Sequence, residues 1–245
     1  MDEDDRSNRR WGRARDHREA VGAAAVDGAI RTRRSIRGFL PDPVPLATVR
    51  DLLGLAACAP SGSNIQPWRV HVLTGAALRR LKDDLLAQHD AKAPEEREYE
   101  YYPVTWRSPY LERRRAVGWK LYELAGVPRG DREAGHRQRG RNYDFFGAPV
   151  GLVFVIDRDL EKGSWLDCGM FLQTLMIAAR AHGLDTCPQA AIANYPSVLR
   201  RHLPIGPAET IICGMALGFA DPGEPANALE PGREAVEDFA SFHDA

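Results

Sequence analysis

The sequence predicts an α+β fold in which helices flank a few strands. Residues 150–156 and 210–217 are nearly uninterrupted apolar runs, which are typical of strands covered on both faces. Several other segments repeat apolar residues every three or four positions, as amphipathic helices do. With 245 residues and 44% hydrophobic content, the chain can bury a full core as one domain.

The first 18 residues are predicted to form a disordered extension. Acidic residues come first and arginines follow, with Trp11 as the only large apolar side chain. Such a segment cannot offset the entropy cost of its own ordering. We therefore expect residues 1–18 to be disordered and residues 19–245 to form one domain, with a tail rich in proline and glycine at 221–245.

Two helices are predicted before the first strand. Residues 19–31 are rich in alanine and place Val26 and Ile30 on one face. Pro45 can start the second helix. The apolar residues of that helix follow helical spacing: Val49, Leu52, Leu53, Ala56 and Ala57.

The next segments predict a strand and a helix, followed by an irregular stretch. Residues 69–74 read as a strand with Val70 and Val72 on its buried face. A helix follows Gly75, with apolar residues at Leu78, Leu81 and Leu85. Residues 91–109 interleave prolines, tyrosines and glutamates without periodicity, which indicates a functional lid or a peripheral excursion.

Helices dominate the second half of the prediction. Helical spacing returns at 110–124, and the arginine-rich stretch 131–143 predicts a helix on the surface or over the site. A long central helix is expected to begin at a pair resembling a capping box, Ser164 and Asp167, and to run through Ala181 to Gly183. Residues 196–203 predict one further short helix.

Composition limits the classes of partner. The net charge of −1 and the pI near 6.7 predict no general affinity for nucleic acid or anionic membranes. The four cysteines, at 58, 168, 187 and 213, show no metal-ligand spacing and are expected to be buried free thiols. No apolar leader or spanning segment is recognisable, so a cytoplasmic protein is predicted.

Residues 59–68 form a stiff loop of small residues. Pro60 and Pro67 fix the backbone at both ends, and the serines and glycine between them leave room for a flat ligand to approach. The loop also fits an ordinary turn between a helix and a strand.

An arginine cluster precedes this loop. If residues 31–39 are extended, alternation places Arg33, Ser35 and Arg37 on one side, with Arg34 and Ile36 on the other. Two guanidiniums beside a hydroxyl suit a phosphate. A solvated basic run at a helix end is the alternative.

Together the two stretches resemble the nitroreductase superfamily of FMN-dependent oxidoreductases. The matching patterns are Arg-Arg-Ser-Ile-Arg-x-Phe and Ala-Pro-Ser-x-x-Asn-x-Gln-Pro-Trp. Residues 141–149, 163–171, 182–189 and 213–218 extend the resemblance, which is closest to the nitrobenzoate and nitroaromatic reductase branch. It implies a central, mostly antiparallel sheet and a homodimer whose composite sites lie at the interface.

The resemblance also implies which residues hold FMN. Arg33, Ser35 and Arg233 match phosphate ligands with Arg34 nearby, and Arg37 matches the position near N1 and O2 of the ring. The remaining matches are Pro60, Ser61, Gly62 and Asn64, reaching FMN from the partner subunit, and Pro188, Gln189, Ala190 and Ala191, whose backbone faces N5 and O4. Alanines replace the Glu-Gly or Gly-Gly pair common at positions 190 and 191. Gln66 fits either FMN contact or a structural role.

The implied reaction needs no catalytic side chain and no metal. NADH or NADPH gives hydride to flavin N5 and leaves, and a nitroaromatic or quinone then takes its place in a ping-pong cycle. Aromatic residues at 99–110 and the pair Phe145 and Phe146 are lid candidates, and ordinary packing in the core or at the rim is the alternative for each of them. No G-x-G-x-x-G motif indicates a resident dinucleotide.

Two alternatives remain at this stage. The same superfamily contains reductive dehalogenases and biosynthetic dehydrogenases, so the resemblance leaves the substrate open. A protein without redox activity could instead use the basic N-terminal region and residues 31–37 as an exposed binding surface, and its binding would weaken steeply with salt.

Overall fold

The computed structural model describes residues 22–243, and the extension predicted to be disordered at 1–18 lies outside them. Four strands form one sheet in the order β1-β2-β4-β3, and every neighbouring pair is antiparallel. The strands are β1 (Arg69–Thr74), β2 (Val150–Asp157), β3 (Asp185–Gln189) and β4 (Glu209–Gly218). The predicted α+β class and antiparallel sheet are confirmed.

Seven α-helices lie between residues 22 and 243. Their bounds are α1 (Ala23–Thr32), α2 (Leu46–Ala56), α3 (Gly75–Asp90), α4 (Tyr110–Leu124), α5 (Arg132–Gly140), α6 (Lys162–Ala181) and α7 (Pro196–His202). All seven correspond to predicted helices. Between residues 22 and 243, no helix combines the length and apolarity that crossing a membrane requires.

The core has two layers, one on each face of the sheet. Helices α2 and α6 cover one face, while α3 and α7 cover the other. Successive residues of β2 alternate between them, so Leu152 packs with α6 and Val153 with the α3 side. Because both faces are covered, β2 and β4 contain almost no polar residue.

The start of α6 was predicted wrongly. The helix begins at Lys162, so Ser164 and Asp167 lie inside it and form no capping box. The Asp167 carboxylate instead accepts hydrogen bonds from the backbone N–H of Gly62 at 3.2 and 3.3 Å. The predicted end is confirmed at Ala181, followed by Gly183 in the left-handed region.

Two burial predictions were also wrong. Val72 is 37% exposed, and Leu73 is the buried residue of β1, because β1 is an edge strand with incomplete helix cover. Cys58 is exposed in the turn after α2. The other three cysteines are buried free thiols, as predicted.

Candidate functional site

The arginine segment that follows α1 is extended and attached to the sheet. The N–H of Ile36 donates to the carbonyl oxygen of Thr186 in β3 at 3.0 Å, and Ser35 forms a bridge with the same residue. Ile36 is buried against the core, while Arg34 lies with Arg33 and Ser35 on the open side. The predicted alternation therefore holds for Ile36 and is wrong for Arg34.

A cavity of about 540 Å³ opens beside this segment, and we call it the arginine cavity. Its polar lining residues are Arg31, Arg33, Arg34, Ser35, Arg37, Glu230 and Arg233. Cationic side chains far outnumber acidic ones there, so the cavity is suited to an anion. The C-terminal tail supplies Arg233, which is close to Arg33 in space although it is distant in sequence.

The arginines of this cavity differ in how their charge is balanced. Arg34 forms an ion pair with Glu230. Arg33 has no carboxylate partner among residues 22–243; burial lowers its pKa, and the positive charge of Arg233 lowers it further. Two guanidiniums without a shared carboxylate repel each other. A bound dianion would relieve that repulsion.

A second cavity of about 320 Å³ lies next to the first, and we call it the tyrosine cavity. Its aromatic and polar lining includes Arg37, Tyr99, Tyr101, Tyr102, Asn142 and Gln189. Pro188, Ala190 and Ala191 complete the wall that the sequence analysis expected around a ring system. Arg37 lines both cavities, so it joins them.

Local bonds hold the shared arginine and the wall opposite it. The Arg37 guanidinium donates to the carbonyl oxygen of Ser35 at 3.1 Å, and the backbone N–H of Arg37 donates to Asn227 Oδ1 at 2.6 Å. Gln189 Nε2 donates to the carbonyl oxygen of Asn142 at 2.7 Å. That bond fixes the amide orientation and leaves the buried Oε1 without a donor among the described residues.

Glu98 attaches the N-terminal part of segment 95–110 to the sheet. Its carboxylate accepts from Arg158 at 2.5 Å and from the N–H of Ile211 at 3.1 Å, and it lies 3.0 Å from Arg200. Burial raises the pKa of Glu98, but these three partners outweigh burial and hold it below its ordinary value. Sequence reasoning missed Glu98, because its partners are far away along the chain.

A bulge in the sheet gives Tyr99 its anchor. Ile212 is skipped in the pairing of β4 with β2, so its carbonyl group has no partner in that ladder. The Tyr99 hydroxyl donates to this carbonyl oxygen, and burial raises the pKa of the phenol. Tyr99 is thus half-buried and anchored, whereas Tyr101 and Tyr102 remain 57% and 49% exposed at the cavity rim.

The lid candidates are therefore of two kinds. Phe145 and Phe146 are buried in the core, as the packing alternative expects, so neither serves as a lid; Phe146 also lines the tyrosine cavity. In segment 99–110, the exposed residues Tyr101 and Tyr102 line the tyrosine cavity and remain lid candidates.

The small-residue loop lies elsewhere in the chain. Pro60, Ser61, Gly62 and Asn64 line neither cavity. Gln66 is structural within this chain, since its N–H donates to Ser61 Oγ at 3.0 Å and its Nε2 to the Asn64 carbonyl oxygen at 3.3 Å. Asp167, which binds the Gly62 N–H, is a support that the sequence analysis did not find.

One cluster of possible metal ligands also escaped the sequence analysis. Ligand atoms of His89, Asp90 and His136 lie within 4.8 Å of one another, and the two imidazoles stack at 3.9 Å. Burial lowers the pKa of His136, with further lowering by the charges of His89, Lys92 and Arg139. The positive charges of Lys92 and Arg139 disfavour binding of a metal cation at this cluster. The cluster also lines neither cavity.

Comparisons with known proteins agree with this geometry. Residues 30–219 match the sequence model of the Nitroreductase family. The chain is 41% identical to a 4-nitrobenzoate reductase of Pseudomonas putida, over 88% of this chain and 94% of that protein. It is 40% identical to a nitrobenzene nitroreductase of Ectopseudomonas oleovorans, over 89% and 96%.

A solved structure shows the same fold. The FMN-dependent nitroreductase NfnB from Mycobacterium smegmatis, in complex with NADPH, superposes with a TM-score of 0.86. It is 32% identical, and the match covers 90% of this chain and 99% of that one.

Proposed function

The chain belongs to the nitroreductase family, and we propose from this premise that it is an FMN-dependent oxidoreductase that uses NAD(P)H to reduce nitroaromatic compounds. The observation that carries the proposal is the pair of adjoining cavities joined by Arg37. One has an excess of positive charge and the other has aromatic and amide walls. That division fits a ligand with a phosphate at one end and a flat polar ring system at the other.

The residues present fit FMN. Arg33, Ser35 and Arg233 would hold the phosphate, with Arg34 beside them, because the repulsion between Arg33 and Arg233 favours an anion there. Arg37 would contact the pyrimidine edge of the ring, where a cation stabilises negative charge. Backbone groups of Pro188, Gln189, Ala190 and Ala191 would face the ring, and the Gln189 Oε1 atom is an acceptor available to a ring N–H.

Bound FMN would supply the redox chemistry, accepting hydride from NAD(P)H and returning two electrons with protons to the nitro group. The side chains of this protein would position the cofactor and the substrates and would not react themselves. Arg37 places a fixed positive charge at the junction of the cavities. The anchored Tyr99 and the rim tyrosines exclude water from one wall of the site.

Nitroaromatic acceptors are favoured because the relatives at about 40% identity are named for nitrobenzoate and nitrobenzene reduction. The alternative of an exposed basic binding surface has less support, since the arginines of residues 31–37 line a cavity. We propose that residues 19–245 form one FMN-binding unit.

We further propose a homodimer in which loop 60–64 reaches the FMN of the partner subunit. The loop lines neither cavity of its own chain. Helix α6, which holds the loop through Asp167, exposes Leu166 and Met170 at 72% and 39%. Apolar residues exposed beside a polar loop are typical of an interface.

The test is an absorption spectrum of the purified protein, followed by identification of the released cofactor and by light scattering for the mass. We expect a flavin spectrum, about one FMN per chain, a dimer mass, and NADPH oxidation that depends on added 4-nitrobenzoate or nitrobenzene. A colourless protein that takes up no added FMN would contradict the flavoenzyme, and a monomeric FMN-loaded protein would contradict only the composite site.

A further inference from the structure

A ladder of aromatic rings leads out of the tyrosine cavity along the surface. Tyr101 contacts Tyr102 with ring centroids 4.7 Å apart, and Tyr102 contacts Trp106 at 5.4 Å. Tyr101 and Tyr102 line the cavity, whereas Trp106 lies beyond its lining. Tyr99 fixes the inner end of the ladder, since its ring is packed edge-on against Trp165 at 4.6 Å.

Two arginines stand at the outer end of the ladder. The Arg114 guanidinium lies over the Trp106 ring at 4.7 Å, and the Arg107 guanidinium lies over the Tyr110 ring at 4.9 Å. Neither has a carboxylate partner in the part of the chain that the structure describes, whereas Arg113 on the same helix pairs with Glu234 at 2.9 Å. Two cationic groups with available donors therefore adjoin the half-buried indole of Trp106.

This combination suits one chemical group better than others. Flat heteroaromatic rings stack on tyrosine and tryptophan, and guanidiniums bind phosphate through paired donors. An adenosine that carries a phosphate on its ribose offers both features. Resting on the proposed function, the geometry points to Trp106, Arg107 and Arg114 as the subsite for the adenosine 2′-phosphate of NADPH.

Only the nicotinamide end of the dinucleotide needs to reach the flavin ring in the tyrosine cavity. At about 320 Å³ this cavity is too small to hold the flavin ring and the whole of NADPH, so the adenosine end must lie outside it. The pyrophosphate links the two ends of NADPH, so the adenosine would lie outside the cavity along the aromatic ladder. NADH lacks the 2′-phosphate, so these arginines distinguish the two reductants and the enzyme prefers NADPH.

The experiment measures binding of two fragments to the FMN-loaded protein by calorimetry. Adenosine 2′,5′-bisphosphate carries the discriminating phosphate, and 5′-AMP lacks it. We expect the wild-type protein to bind the bisphosphate at least about 10-fold more tightly, because hydrogen bonds to a charged group typically contribute this much. In the double variant R107A/R114A that preference falls to below about 3-fold.

Steady-state kinetics supply the second readout. In R107A/R114A the KM for NADPH rises about 10-fold or more, while kcat and the KM for NADH stay within about 2-fold. R115A is the matched control, since Arg115 is an exposed residue of helix α4 without an aromatic contact among residues 22–243, and it should retain the wild-type preference. The W106A variant should weaken both fragments equally, because adenine is common to them.

Clear outcomes would overturn the subsite. They are equal binding of the two fragments to the wild-type protein, or an unchanged ratio of NADPH to NADH efficiency in R107A/R114A. Failure of the proposed function looks different: the protein would hold no FMN and would oxidise neither reductant. Arg107 and Arg114 are both exposed, so R107A/R114A is expected to fold, and its retained FMN confirms it.

Discussion

The arginine cavity and the tyrosine cavity adjoin each other, yet their charges are organised in opposite ways. In the first, Arg33 and Arg233 have no shared carboxylate, so their positive charge is uncompensated. In the second, the carboxylate of Glu98 is matched by Arg158 and Arg200, and Arg97 pairs with Glu95. The unpaired positive charges of the arginine cavity favour binding of an anion, whereas the ion pairs of Glu98 hold one wall of the tyrosine cavity in place.

Removing the uncompensated arginine should have the largest effect. In R33A the phosphate loses a charge-assisted donor, and we expect FMN affinity to fall by about 2 kcal/mol, roughly 30-fold in Kd. Quenching of flavin fluorescence during titration measures this change. Arg34 already pairs with Glu230, so R34A is the control in the same cavity and should cost less.

The comparison would break if R34A weakened FMN binding as much as R33A. The difference between the wild-type protein and R33A should also shrink as salt is raised, because screening weakens the interaction of a half-buried guanidinium with a phosphate.

Removing the compensating carboxylate of the other cavity should destabilise the fold. In E98Q two arginines lose their carboxylate, and we expect the free energy of unfolding to fall by about 1–3 kcal/mol in urea titrations. E100Q is the matched control, since Glu100 is exposed and forms no ion pair within residues 22–243.

The ion pairs of Glu98 also predict how the free energy of unfolding depends on pH. The folded pKa of Glu98 lies below its ordinary value, so its contribution is complete above the unfolded pKa of about 4.3 and is lost as the pH falls below it. The stability difference between wild type and E98Q should therefore be constant near neutrality and decline in acid. A difference that grew as the pH fell would contradict the ion-pair assignment.

The smallest expected effect tests the anchor at the bulge. In Y99F the Ile212 carbonyl loses its donor, and we expect a loss of about 1 kcal/mol in the free energy of unfolding. Y101F is the control, because no hydrogen bond of the Tyr101 hydroxyl is formed with the described residues. Equal effects of the two changes would show that Tyr99 does not hold the wall in place.

Sequence reasoning succeeded where the signal is local and repeated. Helices α2 and α3 follow from apolar spacing, and β2 and β4 follow from apolar runs, because burial imposes the same constraint on each residue of such an element. The short strand β3 was not predicted, since it has five residues, includes Pro188, and is paired on one side only within the sheet.

The candidate site shows the same limit. The Arg33–Arg37 segment and the Pro188–Ala191 wall were found through motifs, and the structure brings both to adjoining cavities. Loop 60–64 was found in the same way, but the structure of one chain does not bring it there, and its role at a partner's site remains a proposal.

The family, the fold class and most helices and strands could be predicted from the amino-acid sequence, because these depend on local periodicity and contiguous motifs. Only the tertiary structure revealed that Glu98 meets Arg158 and Arg200 and that Asp167 holds Gly62. Each of these contacts joins residues at least 60 positions apart. A single sequence contains no record of such distances, since they are set by the packing of the whole chain.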